Sequence, residues 1–172
     1  MPTEPSTRQP GDPDGFRRVL GHFPTSVVAV TALAADARPV GMTVGSFTSV
    51  SLDPPLIGFF PGRSSSTFPH IRAAGRFCVN LLGESQHEVC ARLSASGGDK
   101  FAALDWRPAP SGAPIINGAL AWLDCVVYSI AEAGDHLVVL GEVRGLETAA
   151  PLGERPLVFY RGALERLHPP AR

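Results

Sequence analysis

Residues 39–60 read PVGMTVGSFTSVSLDPPLIGFF, and this stretch decides the fold. Small residues and hydroxyls stand between two apolar pieces, where a chain that needed only a core would place bulkier β-branched residues. Small residues let a flat ligand reach the backbone, and hydroxyls offer that ligand hydrogen-bond partners. The composition therefore predicts short strands that line a ligand site. The residues alone leave open a plainer alternative, a barrel corner that uses glycine only to bend.

Strand signals dominate the chain on both sides of this stretch. We predict strands over 25–33, 40–44, 47–52, 56–60, 77–82, 119–131, 136–146, 156–160 and 163–167, eight or nine in all. Helices are expected over 16–22, from Ser65 or Ser66 to about 74, and over 85–93 behind a capping box of Ser85 and Glu88. Because strands mostly follow strands, the sequence indicates a mainly β protein, a closed or half-open antiparallel barrel with a few peripheral helices.

Composition bounds the class of protein. The 172 residues are 44% hydrophobic and 18% charged, which suits one globular domain over 16–172 behind a flexible tail over 1–15. The net charge of −1 and the lack of a basic stretch exclude nucleic acid as an expected partner. No apolar run approaches the ~20 residues of a membrane helix. Three cysteines with apolar neighbours predict buried, reduced thiols in a cytoplasmic protein without a signal peptide.

Several common catalytic motifs are missing from the sequence. It contains no GxGxxG, no GxxxxGK[ST], no HExxH and no GxSxG, and no cysteine or histidine cluster predicts a metal. Asp135 and His136 are adjacent, but successive strand residues are expected to point to opposite faces, which makes them a poor acid–base pair.

A few polar residues remain as candidates for ligand binding or catalysis. Arg63 and the hydroxyls of 64–67 precede a predicted helix and could form an anion site, with Arg63 or Arg92 supplying charge; an ordinary polar cap is the alternative. His136 begins an apolar strand directly after a tight turn, which places it at a barrel mouth. Arg161 ends a strand, where it could reach a ligand's phosphates or only solvent.

Seven pieces of the sequence carry a family resemblance. They are FPTSVVAVTA (23–32), PVGMTVGSFTSVSLDPPL (39–56), SSST (64–67), GRFCVNLL (75–82), APIINGALAWLDC (113–125), AGDHLVVLGEV (133–143) and RPLVFYRG (155–162). In this order they resemble the short-chain flavin reductases, the NAD(P)H:flavin oxidoreductase components of two-component flavin-dependent monooxygenases.

The resemblance implies a split β-barrel flavin-binding fold, a homodimer, and hydride transfer from NADH, less expectedly NADPH, to FMN or FAD for a separate monooxygenase. It implies that the flavin is bound by Pro39, Val40, Gly41, Met42, Thr43, Gly45, Ser46, Phe60, Pro61, Gly62, Ser66, Thr67 and Arg92. The nicotinamide nucleotide is expected to meet His136, Phe159, Tyr160, Arg161 and Gly162, with His136 orienting its reactive ring.

One departure from the family pattern concerns Val44-Gly45, where many relatives carry Ala-Asn or a similar pair. Gly45 offers backbone contacts only. The choice between FMN and FAD, and whether flavin stays bound or leaves as product, are left open. Three other readings also stay open: a non-enzymatic flavin-binding protein of the same barrel, a relative of pyridoxamine-phosphate oxidases, and a purely structural or interaction domain.

Overall fold

The computed structural model of the protein describes residues 12–149 and 154–167. Within them lie twelve strands: β1 Thr25–Ser26, β2 Val28–Leu33, β3 Pro39–Val44, β4 Thr48–Leu52, β5 Pro55–Phe59, β6 Arg76–Leu81, β7 Trp106–Pro108, β8 Pro114–Ile116, β9 Ala121–Ala133, β10 His136–Thr148, β11 Leu157–Tyr160 and β12 Ala163–Arg166. Three helices accompany them: α1 Pro13–Leu20, α2 Phe68–Ala74 and α3 His87–Ser94. The mainly β prediction is confirmed. Residues 1–11 of the predicted tail lie outside the described residues.

Seven antiparallel strands form the main sheet in the order β3-β2-β6-β9-β10-β5-β4. In a flat sheet, β3 and β5 would stand five strand spacings apart, about 24 Å. Instead Ser46, two residues beyond β3, accepts a hydrogen bond from the backbone N–H of Phe60 at the end of β5, at 3.0 Å. The sheet therefore curls until its two ends meet, as a half-open barrel requires. Two smaller sheets, β1-β11-β12 and β7-β8, pair apart from it.

The inside of the curled sheet is filled by one apolar cluster. Residues from β2, β3, β5, β6 and β10 share it, and the fully buried rings of Phe59 and Phe77 meet edge to face at 5.5 Å between centroids. Their mutual burial fixes β5 against β6 across the barrel. A second cluster joins β2 to α3 and includes Ala29, Leu93 and Phe101.

Two strand predictions need correction. The expected strand over 25–33 breaks at Val27, because its N–H donates to Leu157 O at 3.0 Å and its carbonyl accepts from Leu82 N–H at 3.2 Å. Val27 therefore links the small sheet to the region after β6. Residues 106–116, where the sequence analysis predicts no strand, carry β7 and β8. Asn80 holds β8 in place, since its side-chain oxygen accepts from Ile116 N–H at 2.7 Å.

The helix starts also differ from the predictions. Helix α1 begins at Pro13, because the Asp12 side chain accepts from Asp14 N–H and proline suits the first turn. Helix α2 begins at Phe68 after Thr67; Ser65 still accepts from Phe68 N–H at 3.1 Å.

The predicted capping box of Ser85 and Glu88 is wrong. Gln86 precedes α3 without a side-chain cap, and Ser85 N–H donates to Glu154 at 2.9 Å. Glu88 pairs instead with Arg92 one turn along the helix, at 2.8 Å. Glu154, which accepts from Ser85 N–H in place of Glu88, lies 69 residues further along the chain.

Candidate functional site

Strand β3 runs along two cavities. The first, called here the histidine cavity, measures about 580 Å³ and is lined by Met42, Thr43, Val44, Gly45, Ser46, Phe60, Pro61, Gly62 and His136. The second, the lysine cavity, measures about 280 Å³ and is lined by Arg38, Pro39, Val40, Gly41, Ser66, Thr67, His70, Gly97, Gly98, Asp99 and Lys100. The structure thus gathers twelve of the predicted flavin-binding residues around two neighbouring spaces, and adds His136 to the first.

The position of β3 in the sheet explains why its backbone is open to a ligand. Among the described residues it is an edge strand with β2 as its one partner, so alternate N–H and C=O groups along it are free of the sheet ladder. Gly41 is buried, and a Cβ there would lie 3.1 Å from both the Leu93 and the Phe101 side chains. Glycine at this position lets α3 and the loop after it pack directly against the strand.

The two hydroxyls that line the histidine cavity are already bonded within the protein. Ser46 Oγ accepts from Phe60 N–H at 3.0 Å, and Thr43 Oγ1 lies 2.6 Å from Ser94 Oγ. These bonds fix the shape of the wall, and a ligand in this cavity would also meet the open main-chain edge of β3.

The turn between β9 and β10 delivers His136 to the histidine cavity. Gly134 adopts φ +62°, as the predicted hairpin requires. The turn is fastened to the loop after β5, since Arg63 N–H donates to Asp135 O and Leu137 N–H donates to Pro61 O, each at 2.9 Å. His136 and Gly62 form a bridge between them. The predicted hairpin and the predicted place of His136 at a barrel mouth agree with this geometry.

Asp135 and His136 form a pair, which corrects the expectation that they point apart. Asp135 lies in the turn rather than in a strand, so alternation does not apply to it, and its Oδ1 lies 2.7 Å from His136 Nδ1. That hydrogen bond lowers the pKa of the Asp135 carboxyl. An ionised Asp135 accepts from Nδ1–H, which leaves Nε2 facing the cavity. Consistently, a Cβ on Gly62 would lie 4.0 Å from Nε2.

Lys100 is the residue that sequence reasoning missed. Its ammonium donates to Leu93 O at 3.0 Å, Gly41 O at 3.3 Å and Thr67 Oγ1 at 3.4 Å. Burial lowers its pKa. In the sequence it stands in the polar run GGDK, which reads as a surface linker. Only the carbonyls of α3 and β3, which fold over it, distinguish Lys100 from a surface lysine.

Apart from His136, three of the predicted nicotinamide residues line a different cavity. Phe159, Arg161 and Gly162 line an apolar cavity of about 660 Å³ together with residues of α1 and the segment that follows it. Phe159 also lines a smaller cavity that reaches Thr43, Val44 and Gly45, so the two regions approach each other along β3. Tyr160 lines neither cavity, and its role stays a prediction.

The two predicted arginines are engaged by carboxylates. Arg92 donates to Glu88 through both Nε and Nη2, at 3.1 and 2.8 Å, and it lines neither the histidine nor the lysine cavity. Arg63 pairs with Glu132 at 3.4 Å on the exposed surface. Their parts in phosphate binding stay predictions.

The cysteines and the metal-binding side chains add no further reactive centre to the described ranges. Cys78, Cys90 and Cys125 are buried and free, and burial raises the pKa of all three thiols, that of Cys125 to about 12. Over residues 12–149 and 154–167, no group of three or more histidine, cysteine or acidic residues is placed to hold a metal ion. No helix in the same ranges has the length and apolar character needed to cross a membrane.

Comparison with known proteins assigns the chain to a family. The model of the flavin reductase-like domain matches residues 20–168. The chain belongs to the flavin reductase-like family. The resemblance drawn from residues 39–56 and from the Gly134-Asp135-His136 turn is thereby confirmed.

Relatives of this flavin reductase-like chain share most of its length. A flavin reductase of Pseudomonas putida is 51% identical over 151 residues, 88% of each chain. The reductase subunit HsaB of a flavin-dependent monooxygenase of Mycobacterium tuberculosis is 46% identical over 158 residues, 92% of this chain and 84% of that one. The solved structure of the NADH:FAD oxidoreductase SgcE6 of Streptomyces globisporus, in complex with NAD and FAD fragments, is 35% identical, with a TM-score of 0.89, and the match covers 98% of this chain and 100% of that one.

Proposed function

We propose that the protein is an NAD(P)H-dependent flavin reductase that transfers a hydride from NADH to FMN or FAD. One observation carries the proposal: the histidine cavity joins a wall of open backbone from β3 to the paired imidazole of His136. The names of relatives support it, since one is a flavin reductase and another is an NADH:FAD oxidoreductase. An FMN reductase (NADH) of Agrobacterium fabrum, 42% identical over 151 residues, adds support for NADH.

The residues of the cavity fit a flat ring. Gly62 leaves open a volume that a side chain would fill, because its Cβ would lie 3.9 Å from Ser64 Oγ and 4.0 Å from His136 Nε2, whereas the Thr25 hydroxyl occupies the corresponding position at Gly45. Strand β3 presents main-chain groups along its edge. N–H groups in such a wall can donate to ring carbonyls and nitrogens and stabilise negative charge that develops there. When bound, the nicotinamide and the flavin supply the two-electron chemistry, hydride passing from C4 of the former to N5 of the latter.

The protein's own contribution is to hold the two ligands and to orient their reactive rings. Asp135 keeps the proton of His136 on Nδ1, so that neutral Nε2 can accept a hydrogen bond from the carboxamide N–H of a nicotinamide. The hydrogen bonds between Pro61–Arg63 and Asp135–Leu137 hold this acceptor in place, and the hydrogen bond from Phe60 N–H to Ser46 Oγ joins the same loop to the end of β3. Reacting atoms must stand about 3–3.5 Å apart, and a rigid gap favours that geometry.

Steady-state kinetics test the proposal. NADH and NADPH are offered in turn with FMN and FAD, and we expect NADH oxidation far above the protein-free rate. His136→Ala should slow NADH turnover by roughly tenfold or more while leaving flavin affinity nearly unchanged, because it removes an orienting contact. Flavin binding without accelerated NADH oxidation in the wild type would instead establish a non-enzymatic flavin-binding protein. Equal loss of turnover and flavin affinity would refute the role of His136.

We also propose that the protein works as a cytoplasmic homodimer beside a separate flavin-dependent monooxygenase. Large apolar side chains are exposed on strands of the main sheet: Val50 and Leu52 of β4, Tyr128 of β9 and Leu146 of β10. Burial of these side chains against a second copy of the chain would stabilise a dimer. Sedimentation analysis should give twice the 18.1 kDa chain mass, and a monomer at micromolar concentration would contradict the dimer.

Transfer of reduced flavin to an oxygenase encoded nearby tests the partnership with a monooxygenase. If the reduced flavin does not support turnover of that oxygenase, the partnership is contradicted.

A further inference from the structure

We propose that a cavity between α1 and the β11–β12 turn binds a small aromatic anion, at a site separate from the histidine cavity. This space, called here the arginine cavity, measures about 660 Å³ and is lined by three arginines and by the apolar side chains of Phe16, Leu20, Phe23 and Phe159. Its volume suits a small organic molecule. The site goes beyond the proposed function and does not depend on it.

The apolar wall of the arginine cavity lies open in the described part of the chain. Helix α1 buries none of its residues. Phe16, Leu20, Phe23 and Phe159 are 60%, 53%, 72% and 45% exposed. The phenylalanine rings offer faces and edges against which another ring can pack. A planar aromatic group would therefore cover apolar surface that the described residues leave open.

The charges around the cavity are of one sign. Arg17, Arg18 and Arg161 line it, and no carboxylate stands among its described lining residues. Arg17 pairs with Asp14 at 3.5 Å. Within residues 12–149 and 154–167, neither Arg18 nor Arg161 takes part in an ion pair. Because a guanidinium binds a carboxylate or phosphate through two parallel hydrogen bonds, the ligand should carry an anionic group beside its ring.

The backbone at Arg161 supports a binding role for its side chain. Arg161 and Gly162 form the two-residue turn between β11 and β12, with φ +51° and +87°. Such a turn favours Asn-Gly, so arginine is strained in a place where asparagine would be relaxed. Strain that is retained at one residue points to a function for that residue. Arg161 N–H also donates to Gly21 O at 3.0 Å, which fastens the turn to the end of α1 and holds the two walls of the cavity together.

Thr25 separates the arginine cavity from the histidine cavity. Thr25 lines the former and Gly45 the latter, and a Cβ on Gly45 would lie 2.7 Å from Thr25 Oγ1. A small aromatic acid would therefore fill the arginine cavity without entering the space proposed for the flavin ring. The adenosine diphosphate half of a nucleotide has the same chemistry, an aromatic ring joined to an anion, so the experiment must distinguish the two sources.

The experiment titrates naphthalene-2-carboxylate and ADP into the full chain by isothermal calorimetry, each beside its uncharged counterpart, naphthalene-2-carboxamide or adenosine. Wild type should bind at least one anion with a dissociation constant below about 1 mM, and roughly tenfold or more tightly than the counterpart. Arg161→Asn removes the guanidinium but supplies the residue that the turn prefers. It should weaken binding of the anion by roughly 10- to 100-fold while the Tm stays at the wild-type value or rises. Arg161→Lys should keep part of the binding, and Arg72→Gln, at an exposed position of α2, should keep all of it.

The outcomes decide both the site and the source of its ligand. Binding of the carboxylate indicates a free aromatic acid, and binding of ADP alone indicates a nucleotide; either result supports the site. Saturating FMN should leave the dissociation constant within about twofold, because the two ligands are assigned to different cavities. Displacement of the anion by FMN, binding of neither anion, or equal binding by wild type and Arg161→Asn would overturn the assignment. If Arg161→Asn does not fold, Arg18→Gln on the exposed surface of α1 gives the same comparison.

Discussion

Asn80 is the buried polar residue whose loss should cost the fold most. Its side chain is fully buried, and its oxygen accepts from Ile116 N–H at 2.7 Å. Its amide nitrogen lies 3.2–3.3 Å from three acceptors: Ala29 O, Thr31 Oγ1 and Pro114 O. These bonds fasten β8 to the sheet. Ile116 in turn packs in the cluster that holds Leu93 and Phe101 behind β3.

The expected cost of Asn80→Ala follows from that geometry. Ile116 N–H would be left buried without its acceptor, which costs about 1–3 kcal/mol. The Pro114 carbonyl keeps the hydroxyl of Thr31 as a donor, so the amide's own bonds add only about 1 kcal/mol more. The free energy of unfolding should therefore fall by about 2–4 kcal/mol, which lowers Tm by roughly 5–15 °C in a chain of this size.

Urea denaturation followed by far-UV circular dichroism measures the change. Asn117→Ala, at an exposed position one residue beyond β8, is the matched control and should stay within about 0.5 kcal/mol of wild type. Thr31→Val gives a milder second test, because it removes one hydroxyl from the same buried network. A folded Asn80→Ala protein that loses less than about 1 kcal/mol would refute this account of how β8 is held.

Two further predictions concern packing and the histidine pair. Gly141→Ala should destabilise the protein by about 1–3 kcal/mol, because its Cβ would lie 2.5 Å from the buried Phe77 ring. Gly145→Ala on the same strand, where the nearest atoms lie at 3.8 Å, should be nearly neutral in the same urea assay. Equal losses of stability in the two variants would contradict this account of the packing. Asp135→Asn should lower the population of the Nδ1–H tautomer of His136, a change that ¹⁵N-edited NMR spectra detect. The same variant should slow NADH turnover several-fold without weakening flavin binding. Because the folded-state pKa of Asp135 is lowered, the pair's contribution is present at neutral pH and is lost only below about pH 4; an Asp135→Asn protein with an unchanged histidine spectrum at pH 7 would contradict the pairing.

Local sequence signals were sufficient for most strands of the main sheet and for the turn between β9 and β10. The hairpin at Gly134 and the strands of residues 39–60 follow from residue types that act within a few positions. The family motif extended this prediction to the site, and the structure brings Met42–Ser46, Phe60–Gly62 and His136 around one cavity. The roles of these residues toward flavin and nicotinamide remain proposals.

Most features that the sequence did not reveal depend on distant partners. The capping box fails because Ser85 N–H donates to Glu154 and not to Glu88, and Val27 breaks a β-branched run because Leu157 and Leu82 bond to its backbone. Lys100 gains its environment from Gly41, 59 positions earlier in the chain. Tertiary folding, rather than local preference, decides these three. The pairing of Asp135 with His136 is local, and it depends on the aspartate lying in the turn and not in the strand.

The hydrogen bonds between the Asp135–Leu137 turn and Pro61–Arg63 have a mechanical consequence. Two backbone hydrogen bonds of 2.9 Å and a bridge tie the segments together, so the imidazole moves with Pro61–Arg63 as a single body. Moving His136 away from that loop would break those bonds. Under the proposed function, we therefore expect ligands to enter the histidine cavity from its solvent side while the turn stays in place.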